Sequence, residues 1–239
     1  MDEKLKQNIA KTLEQINPRM TRGVVASSRW TVSELLSLIA DYGKTIDPRF
    51  VIDEKNEEVY TNLAYWAMGD SRMTAINPLT GEKMPGRIDK GLYLAGNIGT
   101  GKTTAMQILH NLYRLNPYRK PWAADSVCNN RIVRAASLVS AYETEGYAGL
   151  NEIERSEYLI IEDLGTEPIE AVFMGNRRHV IKQLLEKRGD IQSYVTSVTS
   201  NIPLGHTDFS ARYGARAQSR AIDMMNYLIL KGDDRRKNL

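Results

Sequence analysis

Residues 94–110 read LAGNIGTGKTTAMQILH and place three glycines within six positions, between an apolar run and a run whose apolar residues have helical spacing. Glycine at such a junction costs stability, because it loses more conformational freedom on folding than any other residue. The arrangement is explained if the main chain of this loop must come close to a ligand. The stretch therefore predicts a binding loop that connects a strand to a helix.

The loop matches the pattern G-x-x-x-x-G-K-[ST] at every fixed position. In such a loop consecutive N–H groups form an anion-binding concavity, and the following helix adds the positive end of its dipole. We expect Lys102 to reach the β- and γ-phosphates of a nucleotide and the Thr103 hydroxyl to ligate Mg²⁺. The residues predicted to bind ATP here are Gly96, Asn97, Ile98, Gly99, Thr100, Gly101, Lys102, Thr103 and Thr104.

Two adjacent acids follow a second apolar run. The stretch EYLIIEDLG, residues 157–165, has four apolar residues and then Glu162 and Asp163. Burying two acids at this position is costly unless a cation or polar groups compensate. We predict that Glu162 joins the Mg²⁺ shell and that Asp163 acts with it on the attacking water.

The composition excludes several other kinds of site. The chain has 239 residues, 42% of them apolar, and a net charge of +3. Cys128 is the single cysteine, so an intrachain disulfide and a cysteine-based zinc cluster are both excluded. No apolar run approaches the length needed to span a membrane. These features predict a cytoplasmic protein without a membrane partner.

Two regions are expected. Apolar residues spaced by three or four over residues 5–16 predict one helix, and Thr31 with Glu34 forms a capping box for a second. These apolar stripes are too short for a core of their own. We therefore predict an N-terminal helical region, residues 1–50, that packs on the main body or binds a partner, and a second region of residues 51–239.

The second region alternates strand and helix patterns after one further helix and a loop over residues 77–91. This alternation predicts an α/β fold with a parallel sheet covered on both faces. The predicted strands are Leu92 to Ala95, Ile132 to Ala135, Tyr158 to Ile161, Val195 to Thr199 and Tyr227 to Leu230. The helices predicted between them are Thr103 to Tyr113, Arg178 to Lys187 and Ala215 to Met225.

Three polar motifs follow in order along the chain. YVTSVTSNIP, residues 194–203, ends a strand in a polar cluster that can bind the γ-phosphate or its attacking water. ARYGARAQSRAIDMM, residues 211–225, places Arg216 and Arg220 on one helix face. LILKGDDRRKNL, residues 228–239, is a last strand followed by two arginines.

The order of these motifs resembles the DnaC/IstB-type branch of the AAA+ ATPases over about residues 50–239, through GNIGTGKT, YLIIEDLG, TSNIP, YGARAQSR and LKGDDRR. The resemblance implies a P-loop NTPase with a five-stranded sheet in AAA+ order. It implies that Asn201 is sensor 1 and that Arg220, with Arg216 as its companion, is an arginine finger offered to a neighbouring subunit. Sensor 2 would be Arg236 or the adjacent Arg235.

The chain departs from that family at two places. The family has Asp-Asp or Asp-Glu where this chain has Glu162 and Asp163, which favours slow hydrolysis. The family includes the loaders of bacterial replicative helicases, and some of these have zinc-binding cysteines that the N-terminal region of this chain lacks. Recognition of a helicase would therefore use the apolar stripes over residues 5–42.

The function implied by the resemblance is an ATPase of DNA replication that assembles as a homo-oligomer in the ATP state. Its expected partners are single-stranded DNA and a replicative helicase. The alternatives are a transposition helper that acts with a transposase, a P-loop phosphotransferase for a small molecule, and an inert scaffold. The candidate DNA contacts are Tyr147 and four basic residues on a helix predicted after the acid pair, Arg177, Arg178, Lys187 and Arg188. These residues are equally typical of a solvated surface.

Overall fold

The computed structural model describes residues 30–112, 130–191 and 194–235. The predicted helix over residues 5–16 lies outside this part of the chain. The described α-helices are α1 (Val32–Ile46), α2 (Glu57–Met68), α3 (Lys102–Leu112), α4 (Ala135–Glu145), α5 (Asn151–Glu154), α6 (Val180–Gly189) and α7 (Thr207–Met224). The strands are β1 (Thr74–Ile76), β2 (Lys83–Pro85), β3 (Gly91–Ala95), β4 (Asn130–Arg134), β5 (Tyr158–Leu164), β6 (Ala171–Phe173), β7 (Asn176–Arg178), β8 (Val195–Ser200) and β9 (Met225–Ile229).

The main sheet has the order β2-β1-β9-β3-β8-β5-β4. Its five strands from β9 to β4 run parallel, and they are the five that the sequence predicts. The hairpin of β1 and β2 extends the sheet by pairing antiparallel to β9. This hairpin occupies part of the 77–91 stretch that the sequence suggested was only a loop.

Helices cover both faces of the sheet, as the alternating pattern predicts. Successive residues of β3 point to opposite faces: Leu92 and Leu94 pack with α1, α2 and α3, and Tyr93 and Ala95 pack with α4, α6 and α7. Residues of β5 alternate in the same way. Because both faces of these strands are buried, the strands are continuous apolar runs.

Helix α1 is part of this packing. Its start has the predicted capping box: the Thr31 hydroxyl accepts from the Glu34 N–H (3.2 Å), and a Glu34 carboxylate oxygen accepts from the Thr31 N–H (2.7 Å). Leu35 and Ile39, four residues apart, are fully buried in the same cluster as α2 and α3. The division of the chain at residue 50 stays a prediction.

Two elements differ from the predicted pattern. The small hairpin of β6 and β7 includes Arg178, so α6 begins at Val180 rather than at Arg178. Helix α7 begins at Thr207 and its main chain is not helical at Gly214, so the predicted start at Ala215 is the start of its second half, and residues 207–213 are additional helix that the pattern did not predict. None of the described helices combines the length and apolar character that crossing a membrane requires.

Candidate nucleotide-binding site

The glycine-rich loop lies between β3 and α3, at the edge where the parallel strands end. Gly99 and Gly101 have left-handed φ angles of 78° and 97°, which favour glycine. A β-carbon at Gly99 would lie 1.8 Å from a carboxylate oxygen of Asp234. A β-carbon at Gly96 would lie 2.5 Å from the main-chain oxygen of Leu230. The loop therefore needs its glycines both for its shape and because the last described segment of the chain packs against it.

The Lys102 ammonium lies inside this loop. The residue is only 8% exposed, and its Nζ donates to the main-chain oxygens of Gly96 and Asn97, each at 2.7 Å. It also donates to Oδ1 of Asn201 at 2.7 Å. The loop and the polar end of β8 are thus joined through one cation, and two of the residues predicted for the site are in direct contact.

The acid pair lies at the end of β5. Glu162 is buried, 6% exposed, and its Oε1 has no hydrogen-bond partner within the described part of the chain. Burial, and next the neighbouring Asp163 carboxylate, raise the pKa of Glu162 above its usual value. Asp163 has a left-handed φ of 55°, its N–H donates to the Thr199 hydroxyl (2.9 Å), and it lines the cavity described next. The two acids therefore have different environments.

A cavity of about 400 Å³ opens beside the loop, a volume typical of small-molecule sites. One side of it comprises the sequence-predicted residues Ile98, Gly99, Thr100, Gly101, Lys102, Thr103, Thr104, Asp163 and Asn201. The other side comprises Asp47, Arg49, Phe50, Val51, Asp53, Asn56, Tyr60 and Arg235. Glu162 is not among the lining residues.

The segment from residue 47 to residue 56 was not predicted as part of the site. Asn56, 2% exposed, fixes its shape: its side chain donates to the Val51 main-chain oxygen (2.9 Å) and accepts from the Asp53 N–H (2.7 Å). The Phe50 ring packs edge-on against Tyr60, with ring centres 5.2 Å apart. Phe50 and Val51 give this side an apolar surface against which an aromatic base could lie.

Arg235 closes the cavity from the carboxyl-terminal side. One guanidinium nitrogen donates to both carboxylate oxygens of Asp53, at 2.9 and 2.8 Å, and its main-chain N–H donates to the Gly99 oxygen at 3.0 Å. Arg236, the residue predicted as sensor 2, lies outside the described residues. Arg235, the alternative candidate for sensor 2, lines the cavity.

The two arginines of α7 lie elsewhere. Arg220 and Arg216 both pair with the Asp190 carboxylate at the end of α6, at 2.6 and 3.4 Å. Their side chains are 40% and 65% exposed, and neither residue lines the cavity. Within one chain these arginines are on the surface and not at the loop.

The predicted DNA contacts need one correction. Arg188 is 1% exposed, and its guanidinium donates to the Thr196 hydroxyl and to the main-chain oxygens of Glu154, Ser156 and Val195, all within 2.9 Å. It is a structural residue that cannot contact DNA. The other four candidate DNA contacts are on the surface.

Arg177 and Arg178 are exposed, but on β7 rather than on a helix. Lys187 pairs with Glu154. Tyr147 is half-exposed and donates to a side-chain oxygen of Gln183 (3.0 Å). The structure leaves these four on the surface without bringing them into one patch with the cavity.

The described side chains offer only part of a cation's ligand set. No group of three or more His, Cys, Asp or Glu side chains able to hold a metal occurs among the described residues. Mg²⁺ at nucleotide sites is held by one or two carboxylates together with phosphate oxygens. The unpartnered Glu162 oxygen, Asp163 in the cavity wall and the Thr103 hydroxyl fit that kind of site.

The strand order β9-β3-β8-β5-β4, with the glycine loop between β3 and the helix that follows it, defines a P-loop protein with the AAA+ fold. No protein-family model matches the chain, and no curated protein does. A solved structure described as the DnaC helicase loader is similar, with a TM-score of 0.51 and 16% identity over 78% of this chain and 96% of that one. A candidate primosome component from Streptococcus pyogenes serotype M3 has a TM-score of 0.50 and 16% identity over 78% and 85% of the two chains. The fold implied by the resemblance to DnaC-type AAA+ proteins is confirmed.

Proposed function

We propose that this chain is an ATP-dependent DNA replication protein of helicase-loader type, whose ATP site is completed by an arginine from a neighbouring subunit. The observation that carries the proposal is the placement of two cations. Lys102 is held inside the loop beside the cavity, and Arg220 is on the surface outside it. In this proposal one subunit binds ATP with its own Lys102 loop, and its Arg220 completes the site of a neighbouring subunit.

The cavity suits ATP. The triphosphate would take the place of the loop oxygens around the Lys102 ammonium, because charge-assisted hydrogen bonds to phosphate are stronger than those to neutral carbonyls. The base would lie against Phe50 and Val51, and Arg235 would approach the phosphates from the tail. When bound, Mg²⁺ would offset the phosphate charge, held by Thr103 and by Glu162 or Asp163.

The residues for hydrolysis follow from the same positions. Asp163 lines the cavity and would orient the attacking water, and Asn201, already hydrogen-bonded to Lys102, would contact the γ-phosphate. Arg220 of the neighbouring subunit would stabilise the charge of the transition state, a role for which an arginine is well suited. Without a neighbour this charge is uncompensated, so turnover would depend on assembly.

The assignment to DNA replication rests on the kind of protein that shares this fold. The two similar structures are described as a helicase loader and a candidate primosome component. The proposed partners of this chain are a replicative helicase and single-stranded DNA in the cytoplasm. The proposed helicase-binding region is residues 1–50, apart from Leu35 and Ile39, which are buried against α2 and α3. A transposition helper with a transposase as partner is the alternative.

Arg220→Ala tests the shared site. The variant should bind ATP with nearly unchanged affinity but lose turnover by about a thousandfold, the contribution of an arginine finger. Arg72→Ala, which removes an exposed arginine paired with Asp70, is the matched control and should hydrolyse ATP normally. If Arg220→Ala turns over ATP as a monomer at the normal rate, the shared site does not exist.

A pull-down with the full chain tests the partner. Recovery of a hexameric replicative helicase, with ATPase activity raised by single-stranded DNA, supports the loader assignment. Recovery of a transposase instead would assign the chain to transposition and overturn the loader proposal.

A further inference from the structure

A buried polar cluster lies between the acid pair and the surface arginines. Its members are Glu167, Arg212 and Tyr213, called here the Glu167 cluster. The side chains of Glu167 and Arg212 are 0% and 19% exposed, and Tyr213 is fully buried. Burying a carboxylate is costly unless its partners compensate fully. A cluster that only filled space would be less costly if it were apolar, so a specific role for these polar groups is expected.

Each carboxylate oxygen of Glu167 holds a different part of the chain. Oε2 accepts from the N–H of Gly165 at 2.8 Å, and Oε1 accepts from the Tyr213 hydroxyl at 2.6 Å. Arg212 reaches the same Oε1 at 3.3 Å and also donates to the main-chain oxygen of Glu167. Burial raises the pKa of Tyr213 well above its ordinary value, so its hydroxyl stays protonated and remains a donor.

One side of the cluster is the end of β5. Gly165 is two residues after Asp163, and the next residue, Thr166, donates through both its N–H (3.2 Å) and its hydroxyl (2.8 Å) to the Asp163 main-chain oxygen. The loop that Glu167 holds in place therefore begins at Asp163, the acid that lines the cavity.

The other side is the bend in α7. Gly214 directly follows Tyr213 and has φ 85° and ψ 156°, so the helix direction is reset there. Arg216 is two residues beyond the bend. Because Arg212 and Tyr213 are the last residues before it, their contacts with Glu167 fix the point from which the arginine-bearing half of α7 leaves.

Helix α6 contacts α7 on both sides of the bend, through its start before Gly214 and through its end after it. At its start, Nε2 of His179 donates to the Arg212 main-chain oxygen (2.8 Å). At its end, Asp190 pairs with Arg216 and Arg220. The direction of the two arginines is thus set by the Glu167 cluster at the bend and by Asp190 at the surface.

We infer that Glu167 and Tyr213 are positioning residues that fix the direction in which a subunit offers Arg220 to its neighbour, using the end of β5 as the anchor. The inference rests on the proposed function, since it concerns an arginine that acts in a second subunit. It predicts that loss of the Tyr213 hydroxyl harms the neighbouring site and leaves the subunit's own ATP site intact.

Mixed assemblies of the full chain separate these two effects. A donor subunit carries Lys102→Ala, so it offers its arginine but has no working site of its own. An acceptor subunit carries Arg220→Ala, so it binds ATP but offers no arginine. In a mixture of the two, turnover comes from acceptor sites completed by donor arginines.

Tyr213→Phe is then placed in one subunit type at a time. In the donor it should lower kcat by about tenfold to a hundredfold with KM for ATP unchanged, because a small misplacement of a catalytic group has effects of this size. In the acceptor it should leave kcat unchanged, because that subunit's arginine is already absent. Tyr227→Phe, a buried tyrosine on β9 outside the cluster, is the matched control and should have no effect in either.

The outcomes distinguish the inference from the proposal beneath it. Equal losses from both placements, as expected if Tyr213 only supports folding, would overturn the inference, and so would no loss from the donor. If the starting mixture is inactive while the unaltered protein hydrolyses ATP, the shared site is wrong and the inference falls with it. Glu167→Gln, of nearly the same volume, should show the same asymmetry and provides a second variant if Tyr213→Phe does not fold.

Discussion

Glu162 is the residue at which stability and the proposed activity conflict. Its carboxylate is buried next to Asp163, and one oxygen has no hydrogen-bond partner among the described residues. An unsatisfied buried polar group costs about 1–3 kcal/mol. Positions that lower the stability of the protein in this way are typical of functional sites, where a ligand supplies the missing interaction. A cation beside Glu162 would remove the cost.

The pH dependence of Glu162→Gln tests this interpretation. Because the pKa of Glu162 is raised in the folded state, the folded form holds its proton more tightly, and the free energy of unfolding falls as pH rises from the usual carboxyl pKa to the raised one. The glutamine variant escapes that loss. Without nucleotide or Mg²⁺ it should be more stable at pH 7 by about 1 kcal/mol, a rise in Tm of about 2–4 °C.

The same gain should disappear below about pH 4, where the wild-type carboxyl is protonated in both states. Thermal unfolding measured across this range gives both values. Glu143→Gln, an exposed acid on α4, is the control and should change Tm little at any pH. A lower Tm for Glu162→Gln at pH 7 would show that the carboxylate is satisfied by groups in the protein.

The elements that the sequence predicts well are those whose pattern is local. Strands β3 and β5 are short, mainly apolar runs buried on both faces, and β8, VTSVTS, is a buried run of valine, threonine and serine. The helices between them have regular apolar spacing. The β1–β2 hairpin was missed because Lys83, Met84 and Pro85 are all exposed and show no alternation. The β6–β7 hairpin was missed for a related reason: two exposed arginines before an apolar-spaced run fit the first turn of a helix as well as they fit a strand.

The pattern predicts the second half of α7 from Ala215, but it does not predict the helical residues 207–213 or the bend that joins the two halves. A glycine inside a run of helical spacing is tolerated in many helices, and the residues directly before Gly214 contact Glu167, which is 45 and 46 residues away in the chain. Long-range contacts of this kind leave no signal in a short window of sequence.

Gly214→Ala tests the bend. With φ 85° and ψ 156°, Gly214 occupies a region that is essentially restricted to glycine, where another residue costs about 1–3 kcal/mol. The space itself is open, because the nearest atoms to an added β-carbon are 3.6 Å away on Lys182. The variant should therefore lose stability through backbone strain alone, as measured by urea unfolding. Ser219→Ala, at an exposed position on the same helix, should stay within about 0.5 kcal/mol of wild type, and equal stability of Gly214→Ala would mean that the bend is not strained.

The cavity as a whole is formed from distant parts of the chain: three segments, which are residues 47–56, the glycine loop and the tail that carries Arg235, together with Asp163 and Asn201 from β5 and the end of β8. The glycine loop was found in the sequence because its residues are contiguous and their chemistry is specific. The segment from residue 47 to residue 56 has no motif, and it reaches the cavity only because α1 and α2 pack on the same sheet face as α3. Two ion pairs then join this segment to the tail: Asp53 with Arg235, and Lys55 with Asp233 (2.6 Å).

Nucleotide binding should consequently stabilise all three parts together. With a non-hydrolysable ATP analogue and Mg²⁺ at about a hundred times Kd, the bound form gains about 2.7 kcal/mol, and amides that exchange through opening of the cavity should slow by up to about a hundredfold. We expect this slowing over residues 47–56, 96–104 and 231–235 in hydrogen-exchange mass spectrometry. The β6–β7 hairpin, which does not line the cavity, serves as the internal reference and should exchange at an unchanged rate.

Lys102→Ala is the control for this experiment, because it removes the cation at the centre of the loop and should abolish the slowing in all three segments. Lys83→Ala, which removes an exposed lysine on β2, should leave it intact. Slowing confined to residues 96–104 would mean that the nucleotide contacts the loop but not the other two walls, and the role given to Phe50, Val51 and Arg235 would be wrong. Slowing that persists in Lys102→Ala would contradict the placement of the phosphates at Lys102.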